Sequence, residues 1–135
     1  MQKYSECSFW FYTRSFAGSG LLAALTILAS LPNCQGWLSV DSENYAKAIL
    51  AMCNSPVGIW KFALLQDKDL DVEIASTITS AGAVVVNFPY HHGGRHVIPL
   101  KEGMTCPAVT GSLSLQANKD KARPCQLCSF CLPPG

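Results

Sequence analysis

The residues best suited to chemistry fall in two groups. The first is Cys125-x2-Cys128-x2-Cys131, where two-residue spacing lets thiolates converge on one ion, as at the start of an iron–sulfur ligand series. The series breaks off, because Cys131 is followed by Leu132-Pro133-Pro134-Gly135 in place of the cysteine before proline that would complete it. Zinc would need a further ligand from Cys106 or a histidine. In an oxidising compartment disulfide formation competes for the same thiols, and the expected fate of Cys53, Cys106, Cys125, Cys128 and Cys131 is disulfide bonding, with no metal. Cysteines two apart bridge each other only under strain, so Cys53 and Cys106 are the expected long-range partners of the tail.

The second group is Tyr90-His91-His92-Gly93-Gly94-Arg95-His96. A Gly-Gly pair between extended runs reads as a two-residue hairpin turn, which sets His92 opposite Arg95 and His91 opposite His96. Opposed residues have Cβ atoms about 5 Å apart, close enough for two imidazoles to share a proton or an ion. Tyr90, His91, His92, Arg95 and His96 are therefore the expected binding residues, with a contact that strengthens as the histidines protonate. The glycines exclude the helix that an HExxH zinc site requires. No GxSxG or papain-like signature is present, and oxidised cysteines are not nucleophiles, so the expectation is a protein that binds and is not an enzyme, with no cofactor. Asp67, Asp69, Asp71 and Glu73 alternate through a turn and a strand and read as a solvated edge.

The compartment follows from the first 36 residues. Lys3 and Arg14 precede Phe16 to Pro32, FAGSGLLAALTILASLP, which carries no charge. A basic flank and then an apolar run read as a signal peptide, with Cys34 and Gly36 as the small residues at −3 and −1 of a cut before Trp37. A cut near Ser30 is the alternative; it retains Cys34 and leaves six cysteines where the later cut leaves five. An uncleaved membrane anchor is the third possibility, given the length of the run. On this reading Gly18-Ser19-Gly20 lies inside the leader and is no phosphate loop. Hydrophobic residues at 49% exclude a disordered tail, and a net charge of +1 without a basic stripe excludes nucleic acid as a partner.

Downstream, Asp41 or Ser42 can cap a helix in which Tyr45, Ile49, Met52 and Cys53 form one stripe before Asn54-Ser55-Pro56 ends it. Strand-like runs follow at Gly58–Leu64, Leu70–Ala75, Ala83–Phe88, Arg95–Leu100 and Val109–Leu115. The expected fold class is α+β, one N-terminal helix on a four- or five-stranded antiparallel sheet, stabilised by disulfides. The expected organisation is a signal peptide over 1–36, an α+β domain over 37–115 and a cysteine- and proline-rich tail over 116–135.

The helix opened by Val40-Asp41-Ser42, the strand carrying Trp60 and the scattered cysteines make residues 37–115 similar in outline to small secreted fungal killer toxins and related cysteine-rich effectors. Ser42 departs from that pattern, where a cysteine is usual. The resemblance implies an extracellular effector or toxin that acts on the protein or membrane surface of a target cell. The alternatives are a secreted metal-binding protein using the histidine hairpin and tail cysteines, and a small thiol or hydrolytic enzyme.

Overall fold

Aromatic and aliphatic residues concentrate in four short stretches, and in the computed structural model each is a strand: β1 (Phe9–Thr13), β2 (Cys34–Val40), β3 (Trp60–Leu65) and β4 (Val85–Phe88). Helices fill the intervals, α1 (Ser19–Ala29), α2 (Tyr45–Cys53) and α3 (Val72–Ser80). The structure describes residues 6–16, 18–67, 69–81, 85–88, 105, 106, 128 and 131.

The strands form one sheet in the order β1-β2-β3-β4, and every pairing is parallel. Phe9 pairs with Cys34, Gly36 with Trp60, and Phe62 with Val85. Thr105 bridges Asn87 in the same parallel sense, and the Cys106 N–H donates to the Asn87 carbonyl at 3.1 Å. A strand order that runs one way, with crossovers of one hand, sets α1, α2 and α3 on the same face. One core cluster accordingly joins Ala29 of α1, Ala48 and Ala51 of α2 and Ile78 of α3 to Leu38, Val40, Phe62, Leu64 and Val85 of the sheet. The opposite face carries Trp37, Ala63 and Val86, against which Trp10, Phe88, Cys106 and Cys131 pack. Each fully buried aliphatic or aromatic side chain contributes about 1.5–3 kcal/mol, and Trp37, Leu38, Val40, Phe62, Leu64, Ile78, Val85 and Val86 are all below 2% exposure.

The expected antiparallel sheet with a single helix is thus corrected, among the described residues, to a parallel sheet with the three helices α1, α2 and α3. Two segments account for the change. Residues 9–29, expected to lie in a leader, are β1 and α1. Leu70–Ala75, expected as a strand, runs into α3, whose Asp71 side chain accepts the Ile74 N–H at 2.8 Å and whose buried Ala75 and Ile78 face the core. An N-capping aspartate supplies an acceptor to the orphan donors of a first helical turn and commits the segment to helix.

The disulfide framework is corrected as well. Cys7, Cys34, Cys53, Cys106, Cys128 and Cys131 are free thiols. Cys53 ends α2 in the helix layer, whereas Cys106 and Cys131 touch the other face of the sheet. Packed layers lie about 10 Å apart, beyond the span of a disulfide. Cys125 lies outside the described residues.

At the crossing of α1 over β2, Gly36 allows the close approach. A Cβ built on it would come within 2.8 Å of the Ala29 methyl and 2.5 Å of the Trp60 ring. That ring packs edge-on against Phe11 with centroids 5.8 Å apart. Ahead of β3, Pro56 to Ile59 form a turn in which Gly58 has φ +84°, the left-handed region where glycine avoids a steric cost.

Candidate functional site: the carboxyl edge of the sheet

In open parallel sheets the strand-to-helix turns gather at the carboxyl ends of the strands, and ligands bind there. Here that edge brings together Arg14 after β1, Asp41 and Ser42 after β2, and Gln66 and Asp67 after β3. Arg14 Nη2 lies 2.5 Å from Asp41 Oδ2, with the arginine side chain 54% exposed and the aspartate 6%. The other Asp41 oxygen accepts the Glu43 and Asn44 N–H groups at 3.1 and 3.2 Å. Asn44 completes the turn, accepting the Asp41 N–H through Oδ1 and donating from Nδ2 to the Ser39 carbonyl. Ser42 donates its N–H and hydroxyl to Asp67 Oδ2 at 3.0 and 2.7 Å, and the Asp69 N–H donates to Asp67 Oδ1. Asp41 and Asp67 are therefore joints between adjacent turns, their oxygens already engaged by backbone and hydroxyl donors.

On the face away from the helices, the same edge opens into a cleft of about 420 Å³ lined by Tyr12, Arg14, Ser39, Ala63, Leu65 and Phe88. Ser39 and Ala63 are register partners on the central strands. From the flanking strands, Tyr12 of β1 and Phe88 of β4 reach toward each other over these small residues until their rings meet edge to face, with centroids 6.0 Å apart. Arg14 is the charged residue among the described lining. The volume falls in the range of small-molecule sites, roughly 300–1,000 Å³.

Beside the cleft, the Tyr12 hydroxyl and Cys131 sulfur are 2.8 Å apart, and Trp37 Nε1 donates to the Cys131 carbonyl at 3.1 Å. Lys61 Nζ sits 5.4 Å above the Trp37 ring. Burial pushes the Lys61 ammonium below its usual range, and the Cys131 sulfur opposes the shift.

No family model, curated protein or solved structure matches this chain.

The sequence-expected site, Tyr90, His91, His92, Arg95 and His96, lies outside the described residues. Among the described residues no group of three His, Cys, Asp or Glu side chains is placed to hold a metal. Of the expected cysteines, Cys106 and Cys131 each pack, half-buried, against the Trp37 cluster on one face of the sheet, whereas Cys53 is exposed at the end of α2. Asp67 and Asp71, expected as solvated-edge carboxylates, bind Ser42 and cap α3. Tyr12, Arg14 and Ser39 escape sequence reasoning, the first two because they precede the charge-free run. Gly18-Ser19-Gly20, dismissed on the leader reading, occupies the first strand-to-helix turn and opens α1. The signal that finds these residues is the aromatic run Phe9–Tyr12 followed by a glycine-bearing turn and a helical apolar segment, which is the start of a βαβ unit.

Proposed function

We propose that this chain is a small-molecule-binding domain whose ligand occupies the carboxyl-edge cleft. The observation that carries the reading is the joining of Tyr12 and Phe88 over Ser39 and Ala63, which makes a concave, mostly apolar site with the Arg14 guanidinium at its rim. Sites of this composition take ligands by shape and orient them with a few polar groups. Binding without turnover is favoured by the state of the two edge carboxylates. Asp41 and Asp67 are engaged by Arg14, Ser42 and backbone N–H donors, and neither is among the described residues that line the cleft.

Action by binding is common to this reading and to the secreted effector expected from the sequence. The two differ in the fate of residues 1–36, which supply Tyr12 and Arg14 to the cleft. A cut before Trp37 would remove β1 and α1 and sever β2 after its third residue. Among the described residues no helix is long and apolar enough to cross a membrane.

A ligand-observed NMR screen of one- and two-ring aromatic compounds against the full chain tests the proposal, with Ser39→Phe as the cleft-filling control. Hits that are lost in Ser39→Phe are expected. Hits that persist in it place binding elsewhere and overturn the reading, as does a screen in which nothing binds the parent.

A further inference from the structure

Resting on the cleft as the binding site, we propose that its ligand is an aromatic monocarboxylate, with the ring against Tyr12 and Phe88 and the carboxylate on the Arg14 guanidinium. None of the described residues lining the cleft is acidic, and Arg14 is the cation among them. Its ion pair with Asp41 does not exhaust it, because a guanidinium has five N–H donors and the pair engages one nitrogen, Nη2. Asp41 acts as a clamp: buried to 6% exposure and fixed by two backbone N–H groups, it holds the guanidinium at the cleft rim while the side chain remains 54% exposed. A pre-positioned arginine loses less conformational freedom on meeting a planar anion than a free one would. Arg14 lines the cleft, whereas Asp41 is not among the described lining residues. Asp67 is similarly engaged by Ser42 and Asp69.

The remaining contacts set the shape of the ligand. The Tyr12 and Phe88 rings stand edge to face at 81°, a joined aromatic wall against which a flat ring packs. Ser39 and Ala63 keep the floor low, and Ser39 adds a second polar residue to the lining beside Arg14. A cavity of about 420 Å³ suits a compound of one or two rings.

Isothermal titration of the full chain with naphthalene-1-carboxylate, 1-naphthamide and 1-naphthylmethylammonium separates charge from shape. The carboxylate is expected to bind about tenfold more tightly than the amide, the scale of one charge-assisted hydrogen bond. Arg14→Gln should erase that advantage by lowering carboxylate affinity more than amide affinity. If Arg14→Gln fails to fold, the parent in rising salt gives the same information: carboxylate affinity should fall and amide affinity should hold. Equal affinities for carboxylate and amide, a preference for the ammonium, or a carboxylate affinity insensitive to salt overturns the inference while leaving the cleft as a binding site. Failure of all three probes to bind overturns the inference together with the reading on which it rests.

Discussion

Gly36→Ala separates the folded role of the N-terminal segment from its resemblance to a leader. Added to the backbone, the alanine methyl would lie 2.5 and 2.8 Å from two carbons of the Trp60 ring and 2.8 Å from the Ala29 methyl. Neither neighbour yields easily. Trp60 is 3% exposed and wedged against Phe11, and Ala29 is fixed near the end of α1. Overpacking by one methyl costs about 2.5 kcal/mol here, in the upper part of the usual range, because the obstructing atoms belong to a held ring. Reduced freedom of the unfolded chain offsets roughly 0.5 kcal/mol of that cost. The net loss of about 2 kcal/mol corresponds to a fall in Tm of roughly 7 °C for a chain of 135 residues. As a residue at the −1 position of a cleavage site, alanine would be as acceptable as glycine and would leave with the leader, so the leader reading predicts no change in the product. The assay is thermal unfolding of the purified full-length protein followed by circular dichroism. Trp60→Phe removes the ring carbons that clash, so the cost of Gly36→Ala in that background should fall by at least half. An unchanged Tm, or a cost independent of residue 60, would refute the packing argument.

Removal of residues 1–36 takes away β1, α1 and the start of β2, and calorimetry of the product is expected to show no cooperative transition; a sharp endotherm would contradict the fold assignment. Asp71→Ala deletes the acceptor for the Ile74 N–H and should lower stability by about 1 kcal/mol in a denaturant titration, with no loss expected for Asp71→Asn. Cys34 is 5% exposed, and burial raises its thiol above the ordinary value of 9.0. In native protein at about pH 8, iodoacetamide should modify the exposed Cys7 and Cys53 and spare Cys34, as read by peptide mass spectrometry. Because the folded chain holds the Cys34 proton more tightly than the unfolded chain does, its contribution to stability is present at neutral pH and declines as pH rises past 9.0. The Cys34→Ser variant should lose that part of the alkaline slope.

Where helix and strand periods were unobstructed, the pattern in the residues was informative. The Tyr45, Ile49 and Met52 stripe marks α2, and those side chains pack on the core. The alternation after Gly58 marks β3, and the doubly apolar run ending at Phe88 marks β4, whose Val85 and Val86 face opposite buried layers. The N-terminal third misled for a physical reason. α1 is apolar on its outer side as well, with Leu21 54% and Ile27 71% exposed, so it has no polar face to distinguish a packed helix from a leader. The smallness of Gly36, which suits a cleavage site, reflects the Trp60 ring beside it. Once that third is read as removable, the alternation of strand and helix loses its first members and a helix followed by a meander remains. The second misreading arose because Leu70, Val72 and Ile74 satisfy a two-residue period over a few positions. The Asp71 cap and the four-residue step from Ile74 to Ile78 are the stronger signals. The cleft was hidden with the leader, since Tyr12 and Arg14 belong to it.

The one-way order of the sheet also bears on how the chain is made. Each strand pairs with the one synthesised just before it, and every pairing closes over a single helix. The sheet can therefore assemble from the ribosome outward, β2 docking on β1 before β3 exists, without waiting for a distant partner. Until the next strand emerges, however, the newest one presents open N–H and C=O groups to any neighbouring chain. With Phe9 and Cys34 as partners across the first crossover, and synthesis at about 5–20 residues per second, that edge stays open for roughly 1–5 seconds per strand. Translation speed should therefore influence the yield of this protein more strongly than that of an antiparallel domain whose hairpins close within a few residues.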